Sequence, residues 1–177
     1  MSRFDECLSH VLKYEGGYVN HPNDKGGATN HGITQSVYDD WRISRGFPRQ
    51  PVSGISKDEV KAIYLARYWI LGKCQHLPAP LDLVHFDSGV NHGLTQAAKF
   101  LQRALDVADD GVIGPMTLNA LKEDTEGGNV DYLCHRILDQ REDFYTSLAA
   151  KKPSQKVFLK GWMNRITEVR GLVNDHQ

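Results

Sequence analysis

The sequence predicts a mainly α-helical protein of about seven or eight helices, with one small loop or β-hairpin element at residues 16–34. Three observations lead there. Apolar residues recur at helical spacing along most of the 177 residues. Alternation with a period of two is weak throughout. Glycine, proline and asparagine gather in residues 16–34, where no helix can run. The composition, 40% hydrophobic and 24% charged, is that of an ordinary globular chain and excludes disorder, collagen and long coiled coil. No run of about 18 apolar residues exists to cross a membrane as a helix.

Taken in order, Phe4, Cys7, Leu8, Val11, Leu12 and Glu15 share one face of a first helix, stopped by Gly16-Gly17. Val37, Tyr38 and Trp41 mark a short helix capped by Thr34. Ser56-Lys57-Asp58-Glu59 is a capping box that opens a helix with Val60, Ile63, Tyr64 and Trp69 inward. Pro80 can begin the next helix. Residues 95–107 and 115–123 read as two more, divided by Asp109-Asp110-Gly111-Val112-Ile113-Gly114. Residues 129–149 form a long amphipathic helix through Leu133, Ile137, Phe144 and Leu148. After Pro153 a last helix runs through Phe158, Trp162, Ile166 and Val169.

The net charge of −1 argues against nucleic acid as a partner. It hides an uneven distribution: net 0 over residues 1–50, −5 over 51–150 and +4 over 151–177. The last segment sets Lys151, Lys152, Lys156, Lys160, Arg165 and Arg170 beside Phe158, Leu159, Trp162 and Ile166. It reads as a docked helix with a basic outer face, or as a surface for anionic wall polymers or outer-membrane lipid. Cys7, Cys74 and Cys134 form no CxxC pair and read as buried thiols of a reducing compartment. Eight histidines include no HxxxH or HExxH spacing, so no metal is expected, and no cofactor motif is present. Met-Ser-Arg-Phe-Asp-Glu-Cys-Leu has no apolar segment of the kind a secretory signal needs.

The glycine-rich stretch carries the chemistry. Glu15 continues the apolar face of the first helix and sits at its C-terminal end. Burial and the helix dipole both disfavour its ionised form and are expected to raise its pKa, as a general acid requires. Its structural alternative is a carboxylate that brackets loop amides. Asp24 lies nine residues on, in a polar loop that keeps a carboxylate ionised; alone, it reads equally as a turn-forming residue. Two carboxyls in contrasting surroundings are an acid–base pair for cleaving a glycosidic bond. Thr29 adds a hydroxyl that could hold water. Tyr18, in the loop, is the aromatic placed to stack on a sugar, and His31 is placed to touch substrate.

The run from Glu15-Gly16-Gly17-Tyr18-Val19-Asn20 through Pro22, Asp24, Gly26-Gly27 and Thr29 to Gly32-Ile33-Thr34 resembles the opening of glycoside hydrolase family 108, lysozyme-like muramidases of bacteria and their phages. The family's catalytic glutamate matches Glu15. The Glu–Asp–Thr order is also similar to that of phage-type lysozymes of family 24, with the Asp-to-Thr gap one residue shorter here. Phe86-Asp87-Ser88-Gly89-Val90-Asn91-His92-Gly93 looks like the family's second block, and Asn91 can reach a sugar hydroxyl or acetamide. Asp87 and Asn91 could instead cap helix ends. Ala97–Leu105 followed by Asp110-Gly111-Val112-Ile113-Gly114-Pro115 and Thr117–Leu121 resembles peptidoglycan-binding modules.

The resemblance implies a lysozyme-like fold, with residues 1–93 as a catalytic region. Residues 94–177 then form a helical peptidoglycan-binding-like region, expected to complete one globular unit. It implies an endolysin-type muramidase that hydrolyses the β-1,4 bond between N-acetylmuramic acid and N-acetylglucosamine. Glu15, Asp24 and Thr29 are its catalytic candidates, Tyr18, His31 and Asn91 its substrate-binding ones, and peptidoglycan is its partner. The protein is expected to be a monomer that collects in the cytoplasm until a holin-type partner releases it to the wall. The alternatives are a lytic transglycosylase and a non-catalytic wall-binding or secretion-related protein.

Overall fold

The computed structural model describes residues 1–21 and 26–176. It is mainly helical, with eight α-helices and one small antiparallel sheet among the described residues. The chain divides into two compact units, Met1–Tyr68 and Trp69–Gln177.

In the first unit, α1 (Arg3–Leu12) is opened by Ser2, whose hydroxyl accepts from the Asp5 amide while the Asp5 carboxylate takes the Ser2 amide. This is a capping box with Asp in the Glu position. Phe4, Cys7, Leu8 and Val11 form its buried face. The helix stops earlier than the apolar periodicity suggests. Lys13 N–H turns back to His10 O and Tyr14 N–H to Val11 O, tight bonds that end the helix before Glu15.

Strands β1 (Thr29–Asn30) and β2 (Ile33–Thr34) pair antiparallel, Thr29 opposite Thr34 and Asn30 opposite Ile33. The turn between them is His31-Gly32, with φ of 50° and 75°. Positive φ at both central residues is the type I′ geometry that matches strand twist in a two-residue hairpin. On its other side Thr29 exchanges two backbone hydrogen bonds with Val19, both 2.8 Å.

Thr34 then caps α2 (Gln35–Ser44) by accepting from the Val37 amide. The loop beyond α2 is fastened by side chains. Asn30 Nδ2 donates to Val52 O, and Gln35 takes the Val52 amide at 2.7 Å while donating to Gln50 O. The capping box read at Ser56 and Glu59 opens α3 (Lys57–Tyr64). Glu59 also accepts from Tyr38 Oη and Arg42. Burial works against its charge, but the hydrogen bonds from Tyr38, the Ser56 amide and Arg42 hold its pKa below the ordinary value. After α3 the chain widens into a π-helical turn, Leu65–Ile70.

In the second unit, α4 (Leu81–His92) is buried at every position from Leu81 to Gly89, so it is a core helix with no solvent face there. It packs against α5 (Leu94–Ala104) and α7 (Val130–Lys151), and α7 packs against α8 (Leu159–Asn174). Between α5 and α6 (Pro115–Glu126) lies the Asp-Gly-x-x-Gly-Pro turn. Gln102, buried on α5, holds it: its amide donates to Asp110, Val112 O and Thr117, and its carbonyl takes the Gly111 amide. Gly111 has φ +80°, and a Cβ there would stand 2.8 Å from Thr95 Cγ2.

Asp87 is the polar centre of this unit. It lies in mid-α4, not at a helix end. Arg165 of α8 donates to its Oδ1 through Nε at 2.9 Å and brings Nη2 within 2.8 Å of the same oxygen, and Arg141 Nη2 of α7 lies 2.8 Å from Oδ2. Burial pushes the Asp87 pKa up, but the two guanidinium charges win and hold it below the ordinary carboxylate value. Arg141 Nε donates to His92 Nε2. His92 is enclosed by the rings of Phe100, Phe144 and Tyr145, and burial beside Arg141 drives its pKa down to about 3. His85, buried with Nε2 2.9 Å from Gly72 O, is driven by burial to about 4.

These pairs correct the expectation of a basic outer face on the last helix. Arg165 is buried on Asp87, and Arg170 is engaged by Asp139 and Glu142, so neither is free at the surface. Phe158 lies in a 3₁₀ turn, Pro153–Phe158, and is 53% exposed instead of core. On α7 the inward set is Leu133, Cys134, Ile137, Leu138, Arg141, Tyr145 and Ala149, with Phe144 left at the rim. All three cysteines are buried and unbridged.

Removing the Asp87 carboxylate strands two guanidinium groups in the core. Asp87→Ala should cost about 3–5 kcal/mol of unfolding free energy in urea denaturation. Acid should weaken the fold through the two histidines. Their folded pKa values, about 4 and about 3, lie below the ordinary 6.5, so the unfolded chain takes up protons first as pH falls. Stability contributed by the neutral rings is whole above about pH 6.5 and lost progressively toward pH 3–4. Between pH 7 and 5 the loss should be roughly 1–2 kcal/mol per histidine, read as a shift in the urea midpoint.

Candidate active site

The first unit assembles a site around the His31-Gly32 turn. Glu15 follows α1 by three residues and is half-buried, placed by the turn after the helix and not by the helical repeat. The next residue, Gly16, accepts the His31 amide through its carbonyl at 3.0 Å, which stitches the Glu15 backbone to the hairpin. Tyr64, at the end of α3, donates its hydroxyl to His31 O at 2.7 Å. Tyr64 Oη and Glu15 Oε2 converge over Gly32. A Cβ at that glycine would lie 2.6 Å from the first and 2.7 Å from the second, closer than any side-chain carbon can stand. Gly32 is therefore required twice, for its φ of +75° and for the space that the carboxylate and the phenol occupy.

Tyr68, in the π-helical turn, completes the surroundings. Its ring lies 5.3 Å from that of Tyr64. Its pKa is raised, first by burial and then by the Glu15 charge, so it stays a neutral phenol beside the carboxyl. A π-turn makes room for a ring that regular helix geometry would carry elsewhere, and such turns often mark functional positions.

The sequence-predicted residues fall as follows. Glu15 and His31 are brought together, His31 through its backbone in the turn while its side chain is half-buried. Thr29 spends both its backbone hydrogen bonds on Val19 and stands opposite Thr34 in the hairpin, one strand residue from the turn. Tyr18 is 50% exposed and adjoins the Val19–Thr29 bridge. Asp24 lies outside the described residues. Asn91 belongs to the second unit, in the last turn of α4, with its amide nitrogen buried. Among the described residues no His/Cys/Asp/Glu cluster could hold a metal ion. Gly32, Tyr64 and Tyr68 join the site only in the structure. Gly32 has a local signal, the His-Gly pair between Thr-Asn and Ile-Thr, whereas Tyr64 reads only as part of an inward helical face and Tyr68 carries no local signal.

Comparison with known proteins gives the family. The profile of the family described as Glycosyl hydrolase 108 matches residues 8–93, which include Glu15, the hairpin and both tyrosines. A second profile, described as a predicted peptidoglycan domain, matches residues 96–167. The solved structure of Brucella abortus SagA is similar over 97% of this chain and 94% of its own, with 32% identity and a TM-score of 0.78. The chain belongs to glycoside hydrolase family 108. No curated protein matches it. As a member of that family carrying a peptidoglycan-binding segment, it is a glycoside hydrolase with peptidoglycan as its partner.

For this family 108 enzyme the convergence over Gly32 has a direct test. Gly32→Ala should displace the Glu15 carboxyl, since the added carbon claims its place, and should lower turnover of purified peptidoglycan by about a hundredfold. Tyr64→Phe keeps the ring but removes the donor to His31 O. It should lower turnover by about tenfold and stability by roughly 1 kcal/mol, read by a turbidity assay and by thermal unfolding.

Proposed function

We propose that this glycoside hydrolase is an endolysin-type muramidase, bacteriolytic and of phage or prophage kind. It would cut the β-1,4 bond between N-acetylmuramic acid and N-acetylglucosamine. The observation that carries the reading is the placement of the Glu15 carboxyl over Gly32, where it converges with the Tyr64 hydroxyl and its charge is felt by the raised phenol of Tyr68. A carboxyl fixed by a turn and half shielded from water can present its proton to a glycosidic oxygen in one orientation.

In this mechanism Glu15 protonates the oxygen that leaves C1 of the muramic residue as the C1–O bond breaks. Charge accumulates on the ring as an oxocarbenium-like transition state. Asp24 stabilises that charge or directs the water that adds to C1, and Thr29 helps to hold that water. Tyr18, 50% exposed beside the Val19–Thr29 bridge, offers a ring face to a sugar. His31 borders the same turn.

The decisive variant is Glu15→Gln, which keeps shape and removes the proton. Its lytic rate on purified cell walls should fall by about 10²–10⁴-fold with the fold intact by circular dichroism. Mass spectrometry of the wild-type products should show reducing muramic ends. Anhydro-muramic ends would instead assign a lytic transglycosylase, and wall binding without any lysis would assign a binding protein.

A further inference from the structure

The elbow between α7 and α8 combines two features that the glycosidase reading does not use. The first is charge. From Phe144 to Thr167 the chain contains no Asp or Glu, and within that stretch Lys151, Lys152, Lys156 and Lys160 are all exposed. None of the four is ion-paired among the described residues. The arginines nearby do not share this role, because Arg165 is buried on Asp87 and Arg170 is paired with Asp139 and Glu142.

The second feature is apolar exposure at the same place. Val157 is 76% and Phe158 53% exposed, at the tip of the 3₁₀ turn, between Lys156 and Lys160. The two side chains are adjacent in the chain, and the second is backed by ring packing. The Phe158 ring lies 5.8 Å from Trp162, which is stacked at 4.3 Å on the buried ring of Tyr145. Beside the tip, Thr146, Ala149, Ala150, Pro153, Lys156 and Leu159 line a crevice of about 360 Å³.

We infer that this elbow is a docking surface for an anionic lipid bilayer. Lysines draw it to phosphate headgroups, and the Val157–Phe158 tip enters the boundary between headgroups and acyl chains. A soluble polyanion would satisfy the lysines but would leave the two apolar side chains in water, so the pairing of features favours lipid. The surface is independent of the chemistry assigned to Glu15.

The test is co-sedimentation of the full chain with vesicles of phosphatidylcholine alone and of phosphatidylcholine with about 30% phosphatidylglycerol. Wild type should pellet with the anionic vesicles, release as salt rises, and stay in solution with the neutral ones. Replacing the four lysines together by glutamine should weaken binding at least tenfold. V157S/F158S should weaken it at least fivefold, and Glu15→Gln should bind as wild type. All four substitutions sites and the tip are exposed, and unchanged thermal midpoints would verify folding. Equal binding by the lysine variant overturns the proposal, as does equal binding to neutral vesicles. Undiminished binding by V157S/F158S would assign a polyanion surface in its place and overturn it too.

Discussion

Asp87 is clamped between Arg141 and Arg165, and the organisation of the second unit follows from that clamp. A buried carboxylate on a core helix must find positive partners, and here one comes from each of the two longest helices. The requirement sets which face of α7 turns inward, since Arg141 shares its stripe with Ile137, Leu138 and Tyr145. It likewise fixes α8 through Arg165, flanked by Ile166 and Val169. His92 then has no room to be charged, because the neighbouring guanidinium and the enclosing rings both oppose a proton there. A short local device, the Gln102 side chain, does for the α5–α6 turn what Asp87 does for the helices.

The first unit solves a different problem. It must hold a carboxyl half out of water on a segment with almost no regular structure. The solution is a type I′ turn whose backbone serves as the platform: Gly16 O takes the His31 amide, and His31 O takes the Tyr64 hydroxyl. Glu15 is therefore positioned by hydrogen bonds from residues that lie sixteen and about fifty positions away in the chain. Catalytic groups need such support, because geometry looser than about 1 Å forfeits much of their effect.

Much of the fold was legible because its signals are local. The Ser56–Glu59 box, the Thr34 cap and the glycine cluster of residues 16–34 each report backbone geometry through their own side chains. The Asp110–Pro115 turn is equally readable. The errors have a common cause. The period of α1 was carried through Glu15, since periodicity cannot register the tight bonds that end the helix at Leu12. Charge by itself puts Arg165 outside and hydrophobicity by itself puts Phe158 inside, but Asp87 buries the first and the 3₁₀ turn leaves the second exposed. Charge pairing across more than seventy residues leaves no trace in a local pattern.

By itself, then, the sequence determined the helical class, the position of the hairpin, the family and the identity of Glu15 as the residue to watch. These depend on spacing within about twenty residues, where backbone rules act directly on the chain. Only the tertiary structure decided that Tyr64 and Glu15 meet over Gly32, that Tyr68 stands neutral beside them, and that Asp87 is a clamp and not a cap. It also separated the lysines that remain at the surface from the arginines that do not. Those outcomes rest on contacts between distant segments, and burial sets the energy of a charge only once the chain has closed around it.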